Sequence, residues 1–286
     1  MTASVVGAIE PNLREAEILR AQRKPTGSLR AYDLVLRALP LLWMRSRENL
    51  TEAERLLRTA INIDARYALA LARLAQCYWL MVSQNWADRA DPAVNDMVYL
   101  ARAALAQAPN DPEVLRAAGL VIHYAGGDRS GGIALLNRAI ELNPNSALTL
   151  QMAALLNAHT GDTQLGITLL QRAARLNPLN LTHDFYLAYA ISHFVAGQFE
   201  ATVEWTTKAF EYLPNDAATL RYRAASLGLL GRLEEGRQVV QRLLALVPGF
   251  SITQARRHIE FGMNNPFRPG IADTLYEGLR RCGVPE

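Results

Sequence analysis

Residues 138–146 read RAIELNPNS, and the phrase recurs as AALAQAPND at 103–111, RAARLNPLN at 172–180, KAFEYLPND at 208–216 and RLLALVPGF at 242–250. Each copy closes on a proline, and Pro109, Pro144, Pro178, Pro214 and Pro248 stand 35, 34, 36 and 34 residues apart. An upstream copy, TAINIDARY at 59–67, has Ala65 where the proline would be. Proline has no backbone donor and restricts the residue before it, so it stops one helix and starts the link to the next unit. A period near 34 residues belongs to stacked helix-turn-helix units, none of which can bury its apolar face alone.

Composition agrees with this reading. The 286 residues include 44 Ala and 44 Leu, strong helix formers, and half the chain is hydrophobic, which excludes an all-β or a disordered chain. The net charge of +3 is an end effect: residues 31–248 hold twenty basic and twenty acidic groups. A protein that neutralises phosphates concentrates basic charge on its working surface, so no nucleic acid is expected on the repeats. Two cysteines, Cys77 and Cys282, make neither a disulfide framework nor a zinc spacing. Met1 to Glu10 lacks the pattern of a signal peptide, and the most apolar run, Ala68 to Val82, is broken by Arg73 and Gln76. A cytoplasmic, membrane-free protein is expected.

Counted from the third residue after each proline, the eighth position is Ala75, Gly119, Ala154, Ala190 and Ala224. The twenty-seventh is Ala60, Ala104, Ala139, Ala173 and Ala209, then Leu243 in the last unit. Small side chains there permit close helix crossings, and Gly126, Gly161, Gly197 and Gly231 mark the turns between helices, where a left-handed residue is needed. In this pattern the chain resembles the tetratricopeptide repeat (TPR) family. The resemblance implies an all-α fold: a right-handed α-α superhelix, or TPR solenoid, of about six helix pairs over residues 28–248. The position-twenty residues Gly132, Gly166 and Gly236 depart from the family's usual Ala, costing their helices ~1 kcal/mol each.

Outside the repeats, residues 3–23 have helical phasing, and 31–44 with 51–63 form a first pair that contains Pro40. The stretch SQNWADRADP, Ser83 to Pro92, is an insertion between helices. Residues 249–286 are expected to cap the last repeat with two short helices and to cover its apolar face.

Several phrases carry a narrower resemblance: VVGAIEPNLREAEILRAQRKPTGSLRAYDLVLRALP from residue 5, DARYALALARLAQCYW from 64, NDPEVLRAAGLVIHYAGGD from 110 and GLRRCGVPE from 278. They are similar to the C-terminal half of large bacterial signalling proteins. Those proteins begin with a class III adenylate or guanylate cyclase, or with a winged-helix DNA-binding domain, followed by a TolB-like segment. The resemblance implies that residues 1–24 are the tail of a TolB-like segment, and that the chain regulates such an output domain.

No catalytic constellation is present. Lys24 and Lys208 are the only lysines and neither lies in a Gly-rich loop; GxGxxG, GxSxG and HExxH are all lacking. The expected protein is not an enzyme and has no cofactor or metal. His123 and His159, thirty-six residues apart, read either as a metal pair or pH-sensitive contact, or as partly exposed histidines lining a groove. Cys77 reads as a buried structural thiol. GGDRSGG, Gly126 to Gly132, reads as a turn with one inserted residue; a phosphate cradle is the alternative.

The resembled family binds partners through the first helix of each pair. Carried over by position, the candidate groove is Gln76, Trp79, Arg116, Leu120, His123, Tyr124, Gln151, Leu155, His159, Asp184, Leu187, Ile191 and Arg221. Apolar side chains with isolated cations suit an extended peptide or amphipathic helix whose carboxylate meets Arg116 or Arg221. The alternative is a surface that covers itself or contacts another domain of the same polypeptide.

Overall fold

The computed structural model describes residues 31–44, 46–84, 86–87, 91–179, 181–259 and 267–286. The helix expected over 3–23 lies outside them, as does most of the connection between the two capping helices. Among the described residues every regular element is a helix. The chain divides into two compact units, Met1–Thr149 and Leu150–Glu286.

In unit 1, α1 (Ala31–Met44) pairs with α2 (Arg47–Ile63), and α3 (Ala68–Ser83) pairs with α5 (Met97–Gln107). The expected insertion holds one four-residue helix, α4 (Pro92–Asn95). Next, α6 (Pro112–Tyr124) packs on α7 (Arg129–Leu142). Unit 2 takes most of α8 (Ala147–Thr160), then α9 (Thr163–Leu176), α10 (His183–Val195), α11 (Phe199–Tyr212), α12 (Ala217–Leu229) and α13 (Leu233–Leu246). Its last elements are α14 (Ile252–Arg257) and α15 (Ile271–Arg281).

Helix starts follow local chemistry. Asp111, Asp128, Asp162 and Asp216 cap α6, α7, α9 and α12 by accepting hydrogen bonds from backbone N–H groups of the first turn. The Asp128 carboxylate takes the Gly131 N–H at 2.8 Å, so the anion site at the start of α7 is filled by the chain itself. GGDRSGG is therefore a capped turn. Gly161, Gly197 and Gly231 are left-handed, as expected; in the first such turn the inserted residue moves that role from Gly126 to Gly127, φ 70°.

The small positions lie where helices cross. Ala75, Ala104, Ala139, Ala154, Ala173, Ala190, Ala209 and Ala224 are fully buried. The glycines of the second helices have a tertiary reason beyond their propensity cost. A Cβ on Gly132 would stand 2.6 Å from the His123 Cβ and 2.7 Å from the Gly119 carbonyl oxygen. On Gly236 it would meet the Cys282 Sγ at 2.2 Å.

The C-terminal segment packs on α12, the first helix of the last repeat, and α15 crosses it at the backbone-close pair Gly228 and Gly278. It reaches further back than a cap on one repeat. The Arg268 N–H donates to the His159 carbonyl at 3.0 Å, and Phe267, Ile271, Leu275 and Leu279 share one core with Leu187, Ile191, Phe194 and Ala225.

Candidate functional site

The candidate groove residues fall in both units. In unit 1, α3 and α6 lie side by side, so Gln76 and Trp79 share a face with Glu113 and Arg116. Glu113 accepts from Arg116 Nη2 at 2.8 Å and also from Arg73, whose other arm donates to Gln76 Oε1 at 2.7 Å. Two guanidinium groups share one carboxylate at low exposure, where charge-assisted hydrogen bonds are strong and unused donors are costly. The Arg116 Nε has no hydrogen-bond partner among the described residues, although Arg116 is only 5% exposed.

Below this network the face is aromatic. Trp79 stacks on Tyr124 with ring centroids 5.1 Å apart, and His123 sets its edge on the same tyrosine at 4.7 Å. His123 Nδ1 is 3.2 Å from the Arg129 carbonyl, which only accepts, so this nitrogen carries the proton. Burial drives the His123 pKa down to about 4. Leu120, His123 and Tyr124 are wholly buried.

In unit 2, Gln151 Oε1 accepts from Thr182 Oγ1 at 3.1 Å. His159 Nε2 lies 3.2 Å from the Tyr222 hydroxyl, and its ring meets Phe267 edge-on at 4.9 Å. Leu187 and Ile191 sit in the core that the C-terminal segment completes. Asp184 keeps partial exposure beside His183 Nδ1, 3.4 Å away, and Leu155 is half-buried. Arg221 is 7% exposed, and burial disfavours its charged form.

Many of these positions are enclosed rather than open. Trp79, Arg116, Leu120, His123, Tyr124, Gln151, His159, Leu187, Ile191 and Arg221 are buried in the chain alone. In unit 2 the physical reason is the segment after Phe250, which fills apolar surface that the repeats leave uncovered. The histidines are correspondingly not half-exposed groove residues: each is committed to a partner within its own unit.

Several site residues were not singled out by the sequence. Arg73 had a signal, as a cation interrupting an apolar run. His258, 7% exposed on the turn after α14, had none, because only the fold brings it within electrostatic reach of Arg221. The same holds for a stack on α10 and α11, where Tyr189 and Trp205 lie 4.2 Å apart and the Lys208 ammonium sits 4.1 Å from the Trp205 ring centre. Cys77 and Cys282 are free and buried. Among the described residues no group of three His, Cys, Asp or Glu could hold a metal, and no helix is long and apolar enough to cross a membrane.

No protein-family model and no curated protein sequence matches the chain. Solved structures do match its fold. PilW, a widely conserved type IV pilus biogenesis factor, superposes with a TM-score of 0.52 at 17% identity, over 77% of this chain and 94% of its own. A thermophilic TPR protein of Thermus thermophilus gives 0.51 at 17% identity, over 69% and 98%. A monomeric IFIT1 mutant, solved with Gppp-AAAA, gives 0.64 at 13% identity, over 90% of this chain and 60% of that one. The fold is therefore that of TPR proteins, and at these identities the likeness is one of fold.

Proposed function

We propose that the chain is a non-enzymatic protein-interaction module that binds a peptide or helical segment of a partner on its first-helix faces, residues 28–248, with 249–286 as its cap. The observation that carries this reading is the polar network on α3 and α6. A face made of Ala, Leu and aromatic side chains has no structural need for Arg73, Gln76, Glu113 and Arg116. The Arg116 Nε is left with an unused donor while Gln76 and Glu113 remain partly exposed at the edge. Such a group suits the carboxylate or backbone carbonyl of a bound segment.

The finer setting, bacterial signalling in the cytoplasm as the regulatory half of a cyclase or winged-helix regulator, draws its support from the phrases beginning at residues 5, 64, 110 and 278. Buried free thiols accord with a reducing compartment.

The test is site-specific photocrosslinking from position 76, with the captured segment identified and remade as a peptide. It is expected to bind the wild-type chain and to lose about tenfold in affinity on Arg116→Gln, with the helical circular-dichroism signal intact. Equal binding by the variant would sink the assignment of this face.

A further inference from the structure

Ring stacking runs along one seam of unit 2. Tyr186 and Tyr189 on α10 alternate with Trp205 and Tyr212 on α11 in a single ladder. Tyr212 lies 5.1 Å from Tyr186, Tyr186 lies 6.2 Å from Trp205 and Trp205 lies 4.2 Å from Tyr189, the planes of each pair within 30°. Tyr189 is buried, whereas Tyr212, at the other end, is 52% exposed. The Tyr212 ring stacks on Tyr186 through one face, and among the described residues no second ring or cation covers the other.

The charges on this part of α11 are arranged unlike those elsewhere. Glu204, Trp205, Lys208, Glu211 and Tyr212 recur at helical spacing and share one side of the helix. On α2 and α7, the surface carboxylates Glu52, Glu54 and Glu141 each pair with an arginine three or four residues away. Lys208 stands four residues from Glu204 and three from Glu211, spacings that suit an ion pair with either. Its ammonium lies instead over the Trp205 ring, 4.1 Å from the centre. Among the described residues no cation pairs with Glu204 or Glu211. Glu211 is close enough to act on the Tyr186 hydroxyl, while Arg175 of α9 acts on Tyr189 at the enclosed end of the ladder.

We propose that this face of α10 and α11 is a docking surface for an arginine-bearing segment of a partner protein. Two carboxylates against one ammonium make the face a match for a cation rather than an acid. A guanidinium plane stacks on the open face of Tyr212 while its N–H groups reach Glu211, a combination of flat stacking and forked donors that lysine lacks. Trp205 and Glu204 offer a second cation position two helical turns away, about 10 Å along α11. A polyproline-type segment repeats its direction every three residues, about 9 Å, so arginines three apart reach both positions. Lys208 is then an internal occupant of the second position, which the incoming arginine displaces. The surface belongs to unit 2 and does not rest on the polar network of α3 and α6.

The test uses the full chain labelled with 15N at tryptophan, and the Trp205 indole N–H signal is followed by NMR. The probes are end-blocked tetrapeptides, Arg-Ala-Ala-Arg, Lys-Ala-Ala-Lys and Glu-Ala-Ala-Glu, titrated at matched pH and ionic strength. The arginine peptide is expected to give a saturable shift, about threefold tighter than the lysine peptide, and the glutamate peptide none. Glu211→Gln and Tyr212→Leu should each weaken it about threefold, while Lys208→Gln should tighten it about threefold by removing the competing ammonium. All three side chains are exposed, so the helical circular-dichroism signal should stay intact.

No saturable shift, equal binding of the glutamate peptide, or a Lys208→Gln chain that binds no tighter overturns the proposal. So does unchanged affinity in the Glu211 and Tyr212 variants. A Trp205 shift that grows with protein concentration alone assigns the cation to a second copy of this chain and overturns the choice of a partner protein. Arg116→Gln should leave the response unchanged, which keeps this result separate from that for α3 and α6.

Discussion

Gly278→Ala isolates the contact between α15 and α12. Gly278 is not among the glycines with positive φ, so alanine brings no backbone strain, and in a helix free of neighbours it would stabilise by ~1 kcal/mol. In the folded chain the new Cβ would lie 2.2 Å from the Ala225 carbonyl oxygen and 2.8 Å from the Ala225 Cα. Both are backbone atoms, so no rotamer change relieves the clash and α15 must retreat. A retreat of about 1 Å forfeits up to half the dispersion energy of each contact across the interface. Ile271, Leu275, Tyr276 and Leu279 all bury their side chains from this helix. Overpacking of this kind costs ~1–3 kcal/mol, and a backbone clash belongs at the upper end. Subtracting the propensity gain leaves a net loss of about 2 kcal/mol, or roughly 4–8 °C in Tm. Urea unfolding followed by far-UV circular dichroism measures it. Gly231→Ala serves as a comparison: its site has φ 76° and open space, so its cost of ~1 kcal/mol is conformational alone. A Gly278→Ala chain as stable as wild type or more so would refute the close crossing.

Other outcomes follow from the same packing. His123 and His258 have pKa values of about 4 and about 3 through burial, so on acidification the unfolded chain takes up their protons first. Stability is therefore full above about pH 7 and declines as pH falls through 6.5, by roughly 2 kcal/mol per histidine at pH 5. Urea midpoints at the two pH values should show this loss, and His258→Gln should remove about half of it. Removing the α7 cap with Asp128→Ala should cost about 1 kcal/mol in the same assay. With Cys77 raised to about 12 by burial and Cys282 also enclosed, the native chain should show no fast thiol in a DTNB assay. Stoichiometric labelling faster than unfolding would contradict the packing at those positions.

Local chemistry made much of the architecture readable. The spaced prolines, the small residues at fixed offsets and the turn glycines act within one repeat, so their meaning survives without coordinates. The shift from Gly126 to Gly127 shows the resolution of such reading: the turn is legible in the inserted residue, while the residue that takes the left-handed conformation is set by its hydrogen bonds. For the site, repeat position identified which side chains belong to first-helix faces, and Arg116 and Arg221 were visible as cations among apolar residues. Position alone carried no information on their exposure.

Exposure was decided by contacts distant in sequence. Phe267 meets His159, Cys282 fills the space beside Gly236, and His258 approaches Arg221, each across a separation that no periodicity encodes. The sequence by itself determined the helix-pair repeat, because helix ends and crossing points depend on neighbours within about 34 residues. Only the tertiary structure decided which first-helix side chains are buried and that the Arg116 Nε among them lacks a partner among the described residues, because burial and hydrogen-bond satisfaction depend on the whole packed environment of a group.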